Sequence, residues 1–328
     1  MIVTKTPLRI SFFGGGSDIP QFYEENEGMV ISTAINSYIY LAVNRCVASH
    51  LRVIYSELEQ TDSVENIKHN RVREVLKHFE IPSNLEIASF SDVPTKGTGL
   101  GSSSTFTVGL INALHRITSG RNIDHKELAE LASYIEIVRC GEPIGKQDQY
   151  AASYGGFNTI YFHGNEVRVK PIDIDPSAAF ELDSNLLAFN TGITRQASDI
   201  LTQQVDNIKN HTIVDQTKAM VELAKSGLKL LQRKKIDEFG ELLDHGWKIK
   251  KMLSDNISNP QIDEMYDRAM KNGALGGKLL GAGGGGYLLV YVQDKYKNRV
   301  LEAMKNYERD RKSTRLNSSH GYISYAVF

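Results

Sequence analysis

The chain has 328 residues, 41% of them hydrophobic and 23% charged, with 38 Lys and Arg against 39 Asp and Glu. That hydrophobic share excludes a disordered chain, and the length favours two domains, because single cores stop growing near about 250–300 residues. A net charge of −1 argues against a dedicated nucleic-acid binder and a polybasic membrane docker, and two cysteines cannot build a disulfide framework.

The first residues lack the pattern of a signal peptide, and no apolar run approaches the roughly 20 residues of a membrane span, so the chain reads as cytosolic. Residues 2–11, 30–36 and 38–44 are rich in Val, Ile and Tyr and predict strands, as do 51–55 and 84–90. A glycine-rich turn at 96–101 leads into a helical pattern over 102–118, and 125–140 predicts a second helix. Two strand-like runs follow, at 156–162 and 167–172. A looser stretch around Asp173 to Ser177 marks the expected boundary between an N-terminal lobe, 1–174, and a C-terminal lobe, 175–309. The second half predicts a strand at 185–190 and helices at 195–208, 217–231, 236–253 and 260–272. A glycine-rich hairpin and strand at 276–291 and a helix at 294–307 complete it. Strands and helices mix without strict βαβ alternation, which predicts an α+β fold.

Residues 310–328 are polar, Ser-rich and aperiodic, then end in an apolar stub. They resemble the translation of a sequencing-adapter oligonucleotide. The expectation is a non-native tail, with the native sequence lost beyond about residue 309, and fold reasoning leaves it aside.

Four segments carry candidate chemistry. The central one, Pro94 to Thr105, places Lys96, Gly97, Gly99, Leu100, Gly101, Ser102, Ser103 and Ser104 before an apolar-periodic helix. Glycines let backbone approach a ligand, serines are good N-caps, and a helix start holds anions. The segment reads as a phosphate cradle or as an ordinary capped helix after a flexible turn. It is not a Walker A loop; the nearest lysine, Lys278, has the wrong spacing and no hydroxyl after it.

The C-terminal segment contains Gly281, Gly283, Gly284 and Gly286. It formally satisfies G-x-G-x-x-G, but a strand follows rather than a helix, so no dinucleotide-binding unit forms. A plain hairpin and a loop packed on a ligand remain equal readings. Near the N-terminus, a strand carrying Arg9 breaks at Gly14, Gly15 and Gly16, followed by Ser17 and Asp18. Arg9 can pair bidentately with phosphate or carboxylate, and Asp18 can accept from hydroxyls. Each taken alone also fits a surface arginine and a turn aspartate. The fourth segment, Glu136 to Tyr150, holds Glu136, Lys146 and Asp148. Phosphoryl transfer needs oxygen ligands for Mg²⁺ and a group that orients or deprotonates the attacking hydroxyl. A solvated helix glutamate and a capping aspartate are the alternative.

In this order the segments resemble the GHMP kinases, the family of galactokinase and of homoserine, mevalonate and phosphomevalonate kinases. Gly99-Leu-Gly-Ser-Ser103 matches the family's middle motif, with one extra residue after Pro94, and Gly281 to Gly286 matches its third. The resemblance spans roughly residues 5–290. Within the family, the strings around Arg9–Asp18, Gly97–Ser104, Gly145–Tyr150 and Asn190–Ser198 look like those of kinases taking a sugar phosphate, with Ser17 replacing an expected Thr.

The resemblance implies an ATP cleft between an N-lobe like the second domain of ribosomal protein S5 and a ferredoxin-like C-lobe. It implies Asp148 as the catalytic carboxylate, aided by Arg9, with Ser103 and Glu136 as Mg²⁺ ligands and the 97–104 loop around the ATP phosphates. It implies a sugar-phosphate substrate held by Asp18, with Gly15, Gly16, Ser17 and Lys146 alongside. A nearby cation, Arg9 or Lys146, is expected to keep Asp148 charged. Arg195, at an expected helix start, is a candidate handle for the substrate's own phosphate; a solvent-facing arginine is the alternative. A homodimer is compatible with this reading. A catalytically silent sensor predicts loss of Asp148 or Glu136, yet both are in place. An RNA-binding module lacks the basic, aromatic-studded stretch it needs.

Overall fold

A computed structural model describes residues 1–94, 97–194, 197–307, 309–310 and 324–327. Its strands are β1 (Ile2–Phe13), β2 (Gly28–Arg45), β3 (Leu51–Ile54), β4 (Leu58–Thr61), β5 (Leu85–Ser91), β6 (Phe157–His163), β7 (Glu166–Pro171), β8 (Leu186–Asn190), β9 (Ala274–Leu279), β10 (Tyr287–Val292), β11 (Arg309–Asp310) and β12 (Ser324–Val327). Its helices are α1 (Pro20–Tyr23), α2 (Asn70–His78), α3 (Ser102–Ser119), α4 (His125–Ser133), α5 (Gln147–Tyr154), α6 (Pro176–Asn185), α7 (Ala197–Lys209), α8 (Val214–Gln232), α9 (Ile236–Lys250), α10 (Pro260–Lys271) and α11 (Asp294–Ala303).

The first sheet has eight strands, ordered β12-β1-β2-β5-β3-β4, with β6 joining β2 and β7 joining β6. The organising element is β2. It pairs with β1 along one side, while on the other its first half meets β6 and its second half meets β5. The sequence suggests two strands broken near Ser37; the structure keeps one strand of 18 residues, because both halves hydrogen-bond to β1. The β1–β2 register shifts between Pro7 and Arg9 and again between Ser11 and Phe13. Such irregularities re-aim side chains. Here they flank Arg9 and Ser11.

The second sheet is antiparallel, ordered β11-β8-β10-β9. Every residue of β10 is buried, as expected of a central strand covered on both faces. Helices α8 and α9 connect the layers. Phe13, at the end of β1, meets Phe239 of α9 edge-on at 5.0 Å, and Phe12 meets the same ring at 5.3 Å. One continuous hydrophobic core runs through both sheets. Both sheets and their helices make the fold α+β.

Three local differences from the sequence reading have clear causes. The helix predicted over 125–140 is α-helical only to Ser133; Tyr134–Arg139 form a π turn, with Cys140 N–H donating to Ile135 O at 2.8 Å. The stretch from Pro176 is a helix, capped by Asp175 with Pro at its first position. Arg309–Asp310, at the junction with the tail, and Ser324–Val327 within it add as short strands to β8 and β1, where a free sheet edge is a ready template.

Candidate active site

A cleft of about 410 Å³ opens between the two sheets. Arg9 reaches it from β1 and Asp148 from the first turn of α5. They meet as a fork: Nε donates to Oδ1 at 2.8 Å and Nη2 to Oδ2 at 2.7 Å. Nη1 of the same guanidinium donates to Gly99 O at 2.5 Å, and the Arg9 backbone N–H donates to Leu100 O at 3.1 Å. One buried arginine thus ties the carboxylate to the glycine loop. A bidentate pair fixes orientation as well as charge.

The glycine loop lies against that pair. Gly101 is left-handed, and a Cβ on it would sit 3.3 Å from both Arg9 and Asp148 Oδ2. Gly101 is also the N-cap of α3 and caps without a side-chain hydrogen bond. The serines therefore do not cap the helix, contrary to the sequence reading. Ser102 Oγ meets Thr98 Oγ1 at 3.1 Å, and Ser104 Oγ donates to Glu136 at 2.7 Å. Ser103 is exposed and lines the cleft. The open backbone N–H groups and the positive end of an 18-residue helix face the cavity there, a setting that holds phosphate.

Asp18 lines the cleft beside Asp148. Its carboxylate accepts from Gly16 N at 3.0 Å, Gln147 Nε2 at 3.0 Å and Gln147 N at 3.2 Å. Gly145 packs so closely on it that a Cβ would collide with the carboxylate. Burial, then the charge of Asp148, raises the Asp18 pKa above the ordinary aspartate value, opposed by those backbone donors.

A guanidinium-held carboxylate beside a phosphate cradle is an arrangement for phosphoryl transfer. Two family models match in register with it: "GHMP kinases N terminal domain" over residues 68–156 and "GHMP kinases C terminal" over 228–310. The chain belongs to the GHMP kinase family. It is an ATP-dependent kinase.

This GHMP kinase is 31% identical to the D-glycero-alpha-D-manno-heptose 7-phosphate kinase of Campylobacter jejuni subsp. jejuni serotype O:2, over 93% of both chains. It is 28% identical to a bifunctional fucokinase/GDP-fucose pyrophosphorylase of Arabidopsis thaliana, over 90% of this chain and 30% of that longer one. Among solved structures it resembles a D-glycero-D-manno-heptose 1-phosphate kinase from Bacteroides thetaiotaomicron, with a TM-score of 0.77 at 23% identity, covering 95% and 96% of the chains. That likeness concerns the fold.

Several residues of the GHMP kinase lie elsewhere than the sequence suggests. Lys96 and Arg195 lie outside the described residues. Gly15, Gly16, Gly97, Gly99 and Gly281 line the cleft, but Leu100 is buried beneath it. Ser17 is a staple rather than a substrate contact: its Oγ donates to Gly14 O at 2.7 Å and accepts from Met29 N at 3.1 Å. Lys146 leaves the cleft wall, with its ammonium 5.2 Å from the centre of the Tyr23 ring. Gly283 and Gly284 pack on Ile257 instead, Gly284 N–H donating to Ile257 O at 2.9 Å.

The proposed Mg²⁺ ligands do not come together. The Glu136 side chain is fully buried and outside the cleft lining. Its carboxylate accepts from Ser104, from Thr107 Oγ1 and from Gln149 Nε2, and pairs with Arg71 Nε at 3.1 Å. A carboxylate has about four acceptor positions; three hydrogen bonds and the ion pair with Arg71 engage this one. Ser103 is not among those donors. As arranged here, Glu136 and Ser103 do not form a magnesium site.

Sequence reasoning missed Lys250 and Gln147, and it met Lys278 only as a failed Walker lysine. Lys250 Nζ donates to Leu279 O at 2.8 Å and Gly281 O at 2.6 Å. Lys278 Nζ donates to Ser11 O at 2.8 Å and Phe12 O at 2.7 Å. Both lysines line the cleft, although buried. Burial, then Arg9, lowers the Lys278 pKa to about 7.

Proposed function

We propose that this kinase transfers the γ-phosphoryl group of ATP to the anomeric hydroxyl of D-glycero-D-manno-heptose 7-phosphate, giving the 1,7-bisphosphate. The Arg9–Asp148 fork at the mouth of the glycine loop carries the chemical part of this reading. The similarity to the Campylobacter enzyme over almost the whole length of both chains supports the choice of sugar.

We assign the following division of labour, which the geometry of the described residues supports and which for Arg195 rests on the sequence alone. The phosphates of ATP lie along Gly97–Ser104, with charge received by the N-terminus of α3. Asp18 and its partner Gln147 hold sugar hydroxyls. Asp148 orients the acceptor hydroxyl and takes its proton as the oxygen–phosphorus bond forms and the bond to ADP breaks. Arg9 keeps the carboxylate in place and supplies positive charge beside the group in transit. Arg195 is the handle for the 7-phosphate. The lobes divide at residues 174 and 175, where the chain leaves the first sheet for α6.

The test is ADP release from Mg·ATP across a panel of heptose 7-phosphate, mannose, fucose, galactose and N-acetylglucosamine. Turnover confined to the heptose phosphate and lost in Asp148→Asn is the expected result. Turnover on fucose instead would favour the reading suggested by the Arabidopsis relative, and would remove the phosphate handle.

A further inference from the structure

We propose that Lys250 is a second cation on the phosphoryl group in transit, supplied by α9 to the cleft wall that also carries Arg9. The inference deepens the kinase reading without depending on which sugar is the acceptor.

The two cations grip two abutting pieces of backbone. Arg9 Nη1 donates to Gly99 O, and Lys250 Nζ donates to Gly281 O. Gly99 and Gly281 are in direct contact: a Cβ on Gly281 would lie 2.5 Å from Gly99 Cα. Lys250 thus stands one backbone layer from the loop expected to hold the phosphates.

Its charge is unbalanced. An ammonium has three donors, and two carbonyls engage two of them. Among the described residues no carboxylate forms an ion pair with Lys250 or with Lys278. Asp148 is already taken by Arg9, and Asp18 by Gln147 and Gly16. A methionine would fill the same space without the cost of burying a charge. Lys250 and Lys278, neither with a carboxylate partner among the described residues, stand in the wall that carries Arg9 and suit a ligand bringing several negative charges. Ser11, beside them, is 7% exposed and lines the cleft, and its Oγ has no partner. Burial, then Lys278 and Arg9, lowers the Lys250 pKa well below its ordinary value. The negative charge of an arriving phosphoryl group opposes the effect of Lys278 and Arg9 and favours the protonated ammonium.

Calorimetric titration of the full chain with Mg·AMP-PNP and with Mg·ADP separates this role from simple capping of carbonyls. Lys250→Met keeps the apolar stem. Lys250→Gln keeps a neutral donor, and Lys250→Arg keeps the charge. Removing the charge is expected to weaken AMP-PNP by about tenfold or more, the size of one charge-assisted contact, and ADP by less than about twofold. Lys250→Arg is expected to recover most of the difference. Equal weakening of both nucleotides, or of neither, would overturn the proposal. If Lys250→Met does not fold, the Gln and Arg pair gives the same comparison. No acceptor is present, so a wrong choice of sugar leaves the result intact.

Discussion

Arg9 and Asp148 are joined by two parallel contacts, so the carboxylate cannot rotate without breaking both. A single lysine charge could not impose that restraint. Asp148→Asn is therefore expected to lower kcat by about 10²–10⁴-fold, the usual weight of a positioned proton acceptor. Arg9→Lys should lower kcat as well, by about tenfold or more, since charge remains but the fork is lost. Steady-state kinetics with both substrates varied checks this. A change confined to KM would contradict it.

Glu136 has a different weight. It is fully buried and opposes Arg71, which also pairs with Glu142. Removing one partner of a buried pair costs about 3–5 kcal/mol. Glu136→Gln is expected to destabilise the protein toward the lower end of that range, because Arg71 keeps Glu142. Urea unfolding is the measurement. An unchanged midpoint with abolished activity would instead assign Glu136 to the metal.

Lys278 makes stability depend on pH. Its native pKa is about 7, whereas an unfolded lysine titrates near about 10.4. Between those values the unfolded chain binds a proton that the native chain does not. Stability from this group therefore rises with pH across that window. Lys278→Met should flatten part of the rise between pH 7 and pH 9 in denaturant unfolding. Lys250 contributes with the same sign, so the slope should not vanish. An unaltered slope would show that Lys278 keeps its proton when buried.

Arg195→Ala is expected to raise KM for the sugar phosphate by tenfold or more, from loss of one charge-assisted contact, and KM for ATP little. Equal effects on both would remove Arg195 as the phosphate handle.

The glycine loop was legible as a local pattern, whereas Arg9, Asp18 and Asp148, each of which alone also fits a surface or turn residue, were singled out by the resemblance of the combined segments to the GHMP kinases. Lys250 was not. It lies in the run Lys248-Ile-Lys-Lys251 on an amphipathic helix, and such a lysine normally points to water. Only the carbonyls of Leu279 and Gly281, brought over by the second sheet, make it buried. The burial of Glu136 was not legible, because a π turn at Tyr134–Arg139 interrupts the helix predicted there. The π turn adds a residue to the helical repeat and changes which face the glutamate presents. Helix α6 was missed despite its signals: an Asp cap followed by proline marks a helix start as readily as a turn. Ser17 shows that a hydroxyl beside a motif can serve the fold alone.

Phe13 has a bearing on motion. Its ring is seated against Phe239 and lies beside Gly227 and Gly246, so the end of β1 is fastened into helices α8 and α9. Arg9 rides on that strand and Lys250 on that last helix. Drawing the two sheets apart would expose these aromatic surfaces, so the two cations travel as parts of one rigid frame. On the proposed reading, the charges that meet the phosphoryl group are set at their working separation before substrate arrives.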